Sequence, residues 1–493
     1  LYEPADALPL LEIAAFFDPG LEQVVARLSG SGSGRHAGWQ SLVNAAVAPS
    51  PQSTEMTRMN ILFIVVDDLR PLLGAYGAAS VHTPHLDRLA AEGFTFRRAY
   101  VQQAWCSPSR TSALTGLRPD RTRVYDLVTH FRDAVPDAVT LPQYFADHGY
   151  VSAAVGKVFH SGLEDVPSWT ESAWEPPVDD PLKHYLLEEN VALLNATKRG
   201  YAAPTESADA PDSAYPDGQV ADRAITLLRE RRGTPLFLAV GFYKPHMPFN
   251  APKRYWDIYD AAELPVRVAD APPQGAPPPA FLRWAEHTNY VGVPRLPNGT
   301  PLPEPIARKL VHGYHAAVSY VDAQVGRLLE ALEREGMADE TIVALWGDHG
   351  WKLGEYGAWS KHTNYEVDTR VPLLIRSPSL EGGRSIGVIV ELVDLYPTLV
   401  ELAGLPPAED VDGISLVPLL EGSELATKPA FSQFIRNEDR SYTTYAEAVT
   451  MGQSVRTERY RFVRWIDRMG RRFGFELYDH RYDPYESVNV ADD

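Results

Sequence analysis

Six short strings of this sequence carry the side chains that could do chemistry. The longest is Cys106-Ser107-Pro108-Ser109-Arg110-Thr111-Ser112-Ala113-Leu114-Thr115-Gly116, which holds the single cysteine of the chain. Asp67-Asp68 and Asp348-His349-Gly350 offer carboxylates and an imidazole, while Gly156-Lys157-Val158-Phe159-His160, Lys244-Pro245-His246 and Trp359-Ser360-Lys361-His362 offer cations and further imidazoles. Each string alone has an ordinary explanation. A free cysteine is most often core, Asp pairs and Asp-His-Gly favour turns and helix starts, and lysines are mostly solvated. Read together they point to chemistry on an anion. Pro108 and the residues after it predict a helix ending near Gly116, and a nucleophile at a helix N-terminus sits in a positive field that favours anions. Lys157 and His160 are three apart and would face one pocket if that segment turns helically. The prolines around His246 predict a rigid loop.

The elements that must hold these groups follow from hydrophobic patterning. Asn60 to Val66 is a continuous apolar run, as expected of a strand buried on both faces, and it ends in Asp67-Asp68. Further buried strands are predicted at Val151–Val155, Leu236–Gly241, Ile342–Trp346 and Pro372–Ile375. Thr83-Pro84 opens a helix through Glu92, with Thr83 as N-cap and Pro84 at the first helical position. Val321, Val325, Leu328 and Leu332 share one face of a second helix, Val318 to Leu332. Alternating strands and helices mean an α/β fold with a largely parallel sheet. Ligand sites in such sheets gather at the carboxyl ends of strands, where Asp67, Asp68, Asp348 and His349 all fall. Three regions are expected: an extension of unassigned role over 1–58, with a short helix near Pro19 to Leu28 and a Gly-Ser linker at 30–34; a main domain over 59–422; and a smaller α+β subdomain over 423–493, with strands in Ser454–Trp465 and Phe475–Tyr478.

Composition narrows the function classes. Lys and Arg number 46 against 65 Asp and Glu, a formal charge of −19, which argues against a nucleic-acid partner. An anionic substrate would have to be drawn by a local cluster of cations against that overall field. One cysteine excludes an internal disulfide and a multi-thiolate zinc site. No run approaches the roughly 18 apolar residues of a membrane span, and no signal peptide is visible. The expectation is a soluble protein, cytoplasmic or periplasmic in a bacterial-type cell.

Cys106-x-Pro108-Ser109-Arg110 followed by Leu114-Thr115-Gly116 resembles the signature of the type I, formylglycine-dependent sulfatases. The auxiliary segment of that family continues with Arg after Thr-Gly; here Leu117 stands there and Arg118 follows. Within the family the chain looks most like the iduronate-2-sulfatase branch. The matching strings are Val66-Asp67-Asp68-Leu69-Arg70-Pro71, Gln103-Ala104-Trp105-Cys106, Arg118-Pro119-Asp120, Val155 through His160, Lys244-Pro245-His246, Asp348-His349-Gly350-Trp351 and Leu395-Tyr396-Pro397-Thr398-Leu399. Tyr243 before Lys244 and His362 after Lys361 depart from the branch, as does the absence of the secreted enzymes' extra cysteines.

The resemblance implies an alkaline-phosphatase-like sandwich. Its large, mostly parallel central sheet is flanked by helices, and the C-terminal subdomain carries a short antiparallel sheet. It further implies that Cys106 is oxidised to formylglycine by a formylglycine-generating enzyme. An aldehyde hydrate carries two hydroxyls on one carbon, so one can attack sulfur and the other can expel sulfate; a serine could form the ester but lacks that exit. Asp67, Asp68, Cys106, Asp348 and His349 would bind one divalent metal, Ca2+ in the first place, with Mg2+ or Mn2+ compatible. Arg110 and Lys157 would hold the nucleophile, His160 would bond the hydrate, and His246 and Lys361 would contact the sulfate and its leaving-group oxygen. The implied substrate is a small sulfated saccharide such as a 2-O-sulfated uronate. Two competing readings are a phosphomonoester or phosphonate-monoester hydrolase with the same residues, and a non-catalytic sulfated-glycan binder.

Overall fold

The apolar run Asn60 to Val66 forms strand β1 (Asn60–Val66), buried at every residue. The computed structural model describes residues 58–197, 200–267, 271–281, 286–297, 299–423, 427–437 and 443–491. The chain divides into Leu1–Thr57 and Arg58–Asp493. The helix expected near Pro19 to Leu28 and the linker at 30–34 lie outside the described residues.

β1 sits in an eight-stranded sheet with β2 (Phe94–Tyr100), β3 (Val151–Gly156), β4 (Leu236–Phe242), β5 (Thr341–Gly347), β6 (Arg370–Val371), β7 (Leu373–Arg376) and β8 (Arg384–Glu391). The order is β6-β2-β7-β5-β1-β4-β3, and β8 pairs with β2. The block β5-β1-β4-β3 is parallel throughout, whereas β7 runs antiparallel to both β5 and β2. All the strands read from apolar runs are present. β2 and β8 were not expected, because Arg97 and Arg98 interrupt β2 and β8 opens with exposed Arg384 and Ser385.

Alternation along β1 feeds two cores. Leu62, Ile64 and Val66 face one layer with helices α1 (Pro84–Glu92), α3 (Pro216–Glu230) and α4 (Glu304–Arg334). Ile61, Phe63 and Val65 face the other layer, with α2 (Cys106–Thr115) and the Leu395–Leu402 helix. The sheet is thus covered on both faces, as an α/β sandwich requires.

The sequence saw only part of α4, which runs for 31 residues. Its first half is crowded with His312, His315 and Tyr314, whose polar atoms bond to Trp256, Ser80 and Asp68 outside the helix and so obscure the apolar stripe. α1 begins where expected, but Thr83 does not cap it. The Thr83 hydroxyl accepts from the Gly74 N–H and donates to Asp87. The cap comes from α4 instead, where Asp322 accepts from the N–H groups of His85 at 3.3 Å and Leu86 at 2.8 Å. Asp322→Ala is therefore expected to lower stability by about 1–3 kcal/mol, the cost of orphaning buried donors, with chemical denaturation as the check.

The C-terminal strands β9 (Ala430–Arg436), β10 (Thr450–Arg456), β11 (Tyr460–Asp467) and β12 (Arg472–Asp479) form one antiparallel sheet in that order. β9 is tied to the segment before α2: Ser432 Oγ donates to the Val101 carbonyl at 2.6 Å and the Gln433 N–H to the Gln102 carbonyl at 2.9 Å. Among the described residues no helix is long and apolar enough to cross a membrane.

Candidate active site

Four adjacent parallel strands end at one level. Val66 pairs with Gly347 and Phe242, and Gly156 pairs with Gly241. The residues just beyond these ends are Asp67-Asp68, Asp348-His349, Lys244 to His246 and Lys157 to His160. Asp68 has φ 61, in the left-handed region. Its N–H donates to Asp348 Oδ1 at 2.9 Å and its carbonyl accepts from Tyr314 at 2.8 Å, so neighbouring elements hold the strained turn in place.

Cys106 is the first residue of α2, two positions earlier than expected, with Trp105 extended before it and Gly116 left-handed at φ 69 behind it. Pro108 is tolerated there because the first turn needs no N–H partner within the helix. Trp105 meets His362 edge-on at 5.6 Å and packs on Phe434 of β9. The C-terminal sheet thereby braces the turn that presents Cys106.

Cations and carboxylates interlock beneath it. Arg110, with no exposed surface, donates from Nη2 to Asp67 at 3.0 Å and from Nε to Asp348 at 2.9 Å, and it also bonds the Lys157 and Val158 carbonyls. Lys157 Nζ lies 2.5 Å from Asp67, and Lys361 Nζ lies 2.7 Å from Asp68 and 3.8 Å from Cys106 Sγ. Arg110 and Lys157, expected on the nucleophile, bond the carboxylates beside it, and Lys361 Nζ also lies within reach of the sulfur. Burial by itself would raise Asp67, but Lys157 and Arg110 outweigh it and hold that carboxyl well below the usual range. Burial pushes Asp68 well above it, offset only in part by Lys361 and His349. Burial and the Asp67 charge push the Cys106 thiol up to about 12. An unmodified thiol here is protonated at neutral pH and a poor nucleophile.

The donors fit a divalent cation. Ligand atoms of Asp67, Cys106, Asp348 and His349 all lie within 4.8 Å of one another and are buried, and Asp67 and Asp68 form a second such group with His246. His349 gives its Nδ1 proton to the Gly350 carbonyl at 3.1 Å. Its Nε2 lone pair is left facing Cys106 Sγ at 3.3 Å and Asp68 Oδ1 at 3.4 Å, the arrangement typical of a metal-binding imidazole. Asp68 Oδ2 is buried with no hydrogen-bond partner. Carboxylate oxygens beside an imidazole suit such an ion.

The segment after β3 is not helical: residues 157–159 bend. Lys157 is instead docked by its N–H on the Gly241 carbonyl at 2.9 Å, and a Cβ on Gly241 would fall 1.9 Å from the Lys157 carbonyl oxygen. Close approach therefore explains that glycine. His160 Nδ1 is buried without a hydrogen-bond partner, and burial with Lys157 pushes the imidazole down to about 3, so it is neutral at neutral pH. Ser360 and His362 both adopt positive φ, 68 and 84, and aim Lys361 between them at the carboxylates.

Two further residues hold these groups: Lys244, part of the string read around His246 but given no role there, and Glu286, which had no sequence signal. Lys244 Nζ donates to the carbonyls of Leu182, His246 and Pro248, which fixes the loop carrying His246. Glu286 reaches in from a short 3-10 turn, Glu286–Asn289, to place Oε1 3.1 Å from His246 Nε2 and Oε2 3.3 Å from Lys361 Nζ. It lies in an irregular stretch with no periodicity or motif, so only tertiary structure reveals it.

Comparison with known proteins agrees with this picture. The sulfatase family profile matches residues 59–405, and a profile for the C-terminal part of N-sulphoglucosamine sulphohydrolase matches 354–493. The iduronate 2-sulfatase of Mus musculus is 35% identical over 88% of this chain and 91% of its own length. Among solved structures, the phosphonate monoester hydrolase of Agrobacterium radiobacter superposes with a TM-score of 0.69 at 24% identity, covering 88% of this chain and 92% of that one. A protein solved in complex with its substrate D-glucosamine-2-N,6-O-disulfate gives 0.67 at 23% identity, covering 88% and 93%. At that identity the two superpositions speak to the fold, an alkaline-phosphatase-like sandwich. The family profile spans most of the chain and the relative matches nearly end to end, so this protein belongs to the sulfatase family and is a sulfuric ester hydrolase.

Proposed function

We propose that the substrate is a sulfated saccharide, such as a 2-O-sulfated uronate, and that Cys106 acts after conversion to formylglycine beside one divalent ion, Ca2+ in the first place. The observation that carries the reading is the buried convergence of Cys106 with Asp67, Asp348 and His349 at the start of α2. The saccharide comes from the relatives: the mouse protein is named for iduronate 2-sulfate, and the bound disulfated glucosamine belongs to a protein of the same fold. The formylglycine-generating enzyme is then the maturation partner.

On the modified residue, a hydrate supplies one hydroxyl to attack sulfur and a second whose deprotonation expels sulfate. Lewis-acid polarisation of the sulfate oxygens is the chemistry a divalent ion held by Asp67, Asp68, Asp348 and His349 supplies. Mg2+ and Mn2+ suit the same donors. The remaining work belongs to the chain. Arg110 and Lys157 keep Asp67 ionised and fixed. His160, neutral and with its buried Nδ1 unpartnered, bonds the hydrate and assists deprotonation of its second hydroxyl, which then expels sulfate. Lys361 and His246 contact the sulfate and the leaving-group oxygen, and a donor such as Lys361 there is worth roughly 3–4 kcal/mol.

Sulfate release from a 2-O-sulfated uronate disaccharide is expected from the mature protein, lost on removal of divalent metal by a chelator and restored by Ca2+. Release at an undiminished rate from protein shown by elemental analysis to be metal-free would refute the metal assignment. No release from any of a panel of sulfated mono- and disaccharides would refute the substrate class.

A further inference from the structure

Glu286 makes no contact with the carboxylates of the site. It lies instead against the two groups assigned to the ester, with Oε1 3.1 Å from His246 Nε2 and Oε2 3.3 Å from Lys361 Nζ, and its side chain is only 15% exposed. In the directly paired network, the carboxylates of Asp67, Asp68, Asp348 and Glu286 face the fixed cations Arg110, Lys157 and Lys361. Glu286 is the member of that set that bonds no other residue of the proposed metal site, so its charge is free to serve substrate choice. A divalent ion on the other carboxylates leaves the network with one net positive charge, which a monoanion balances and a dianion exceeds. Without the Glu286 charge the network would suit a dianion.

We infer that Glu286 is a specificity-determining residue that sets the pocket for a monoanionic ester, sulfate, and against a dianionic phosphate monoester. This rests on the reading of His246 and Lys361 as the ester's donors. The effect is one of charge. A phosphonate monoester carries the same single charge as a sulfate monoester, so Glu286 does not discriminate between those two. A phosphate monoester, with one charge more, gains an extra Coulombic attraction when Glu286 is neutralised.

The test uses the mature, metal-loaded protein and three 4-nitrophenyl esters, sulfate, phosphate and phenylphosphonate, at a pH where the phosphate is a dianion. Glu286→Gln keeps the shape and removes the charge. The ratio of kcat/KM for phosphate over sulfate is expected to rise by roughly ten- to a hundredfold, the size of one added charge interaction across a partly screened site. The ratio of phosphonate over sulfate should stay within about threefold, and Glu286→Asp should keep the wild-type ratios. A second readout needs no turnover: dissociation constants of inorganic phosphate and sulfate, measured by calorimetry, should shift in the same direction in Glu286→Gln. Unchanged phosphate-over-sulfate ratios in both readouts, or an equal rise for phosphate and phosphonate, would overturn the inference. Wild-type protein that does not hydrolyse the aryl sulfate would count against the proposed mechanism, and the dissociation constants would still decide the role of Glu286.

Discussion

Cys106→Ala is expected to lose sulfate-ester turnover by roughly four orders of magnitude or more, the scale at which removal of a covalent nucleophile acts. The argument is geometric as well as chemical. Cys106 opens a fully buried helix, and its sulfur lies 3.3 Å from His349 Nε2 and 3.8 Å from Lys361 Nζ. Cys106→Ser sharpens the point. A serine hydroxyl occupies the same place and can take the sulfo group, but it has no second hydroxyl with which to release it. The serine variant should therefore give at most one equivalent of leaving group, with a stable sulfo ester on residue 106. Rapid mixing and peptide mass measurement check both halves. Sustained turnover by the serine variant would remove the reason for an aldehyde hydrate.

Arg110→Met should give the largest loss of stability among single changes near the site, about 3–5 kcal/mol, because it breaks a buried ion-pair network from one side. Methionine fills much of the space but donates nothing. Asp67 and Asp348 would each lose a bond of about 3 Å, and the Lys157 and Val158 carbonyls would lose theirs as well. Asp67 would lose one of the two largest offsets to its burial, so its carboxyl should shift upward from its present low value. Chemical denaturation measures the stability, and activity at fixed metal concentration should fall with it. A variant as stable as the wild type would mean that the network is neutralised by something other than Arg110.

Most of the site was legible in the sequence because its residues sit just past apolar strands. β1, β4 and β5 announce themselves by unbroken burial, and the chemistry follows directly at Asp67, Lys244 to His246 and Asp348. The cysteine string was legible because its composition is specific. What escaped notice has a physical pattern. β2 carries two arginines along its length, so its burial is not written as an apolar run. The cap of α1 comes from Asp322, 236 positions away from the N–H it bonds. Lys157 and His160 share three-residue spacing without sharing a helical turn, since docking on Gly241 bends that segment. Glu286 is placed by a loop whose course no local signal encodes. Local patterns thus gave the strand ends, and distant contacts supplied the braces and the Glu286 carboxylate against His246 and Lys361.

The central claim is that residue 106 works as an aldehyde and not as a thiol. Its burial beside Asp67, which leaves the thiol protonated at neutral pH, already makes unmodified cysteine a poor candidate. The direct measurement is the mass and aldehyde reactivity of the peptide containing residue 106, taken from a preparation whose sulfate release has been titrated. The account requires formylglycine at residue 106 in proportion to the active fraction. A fully active preparation in which residue 106 is wholly unmodified cysteine would contradict it.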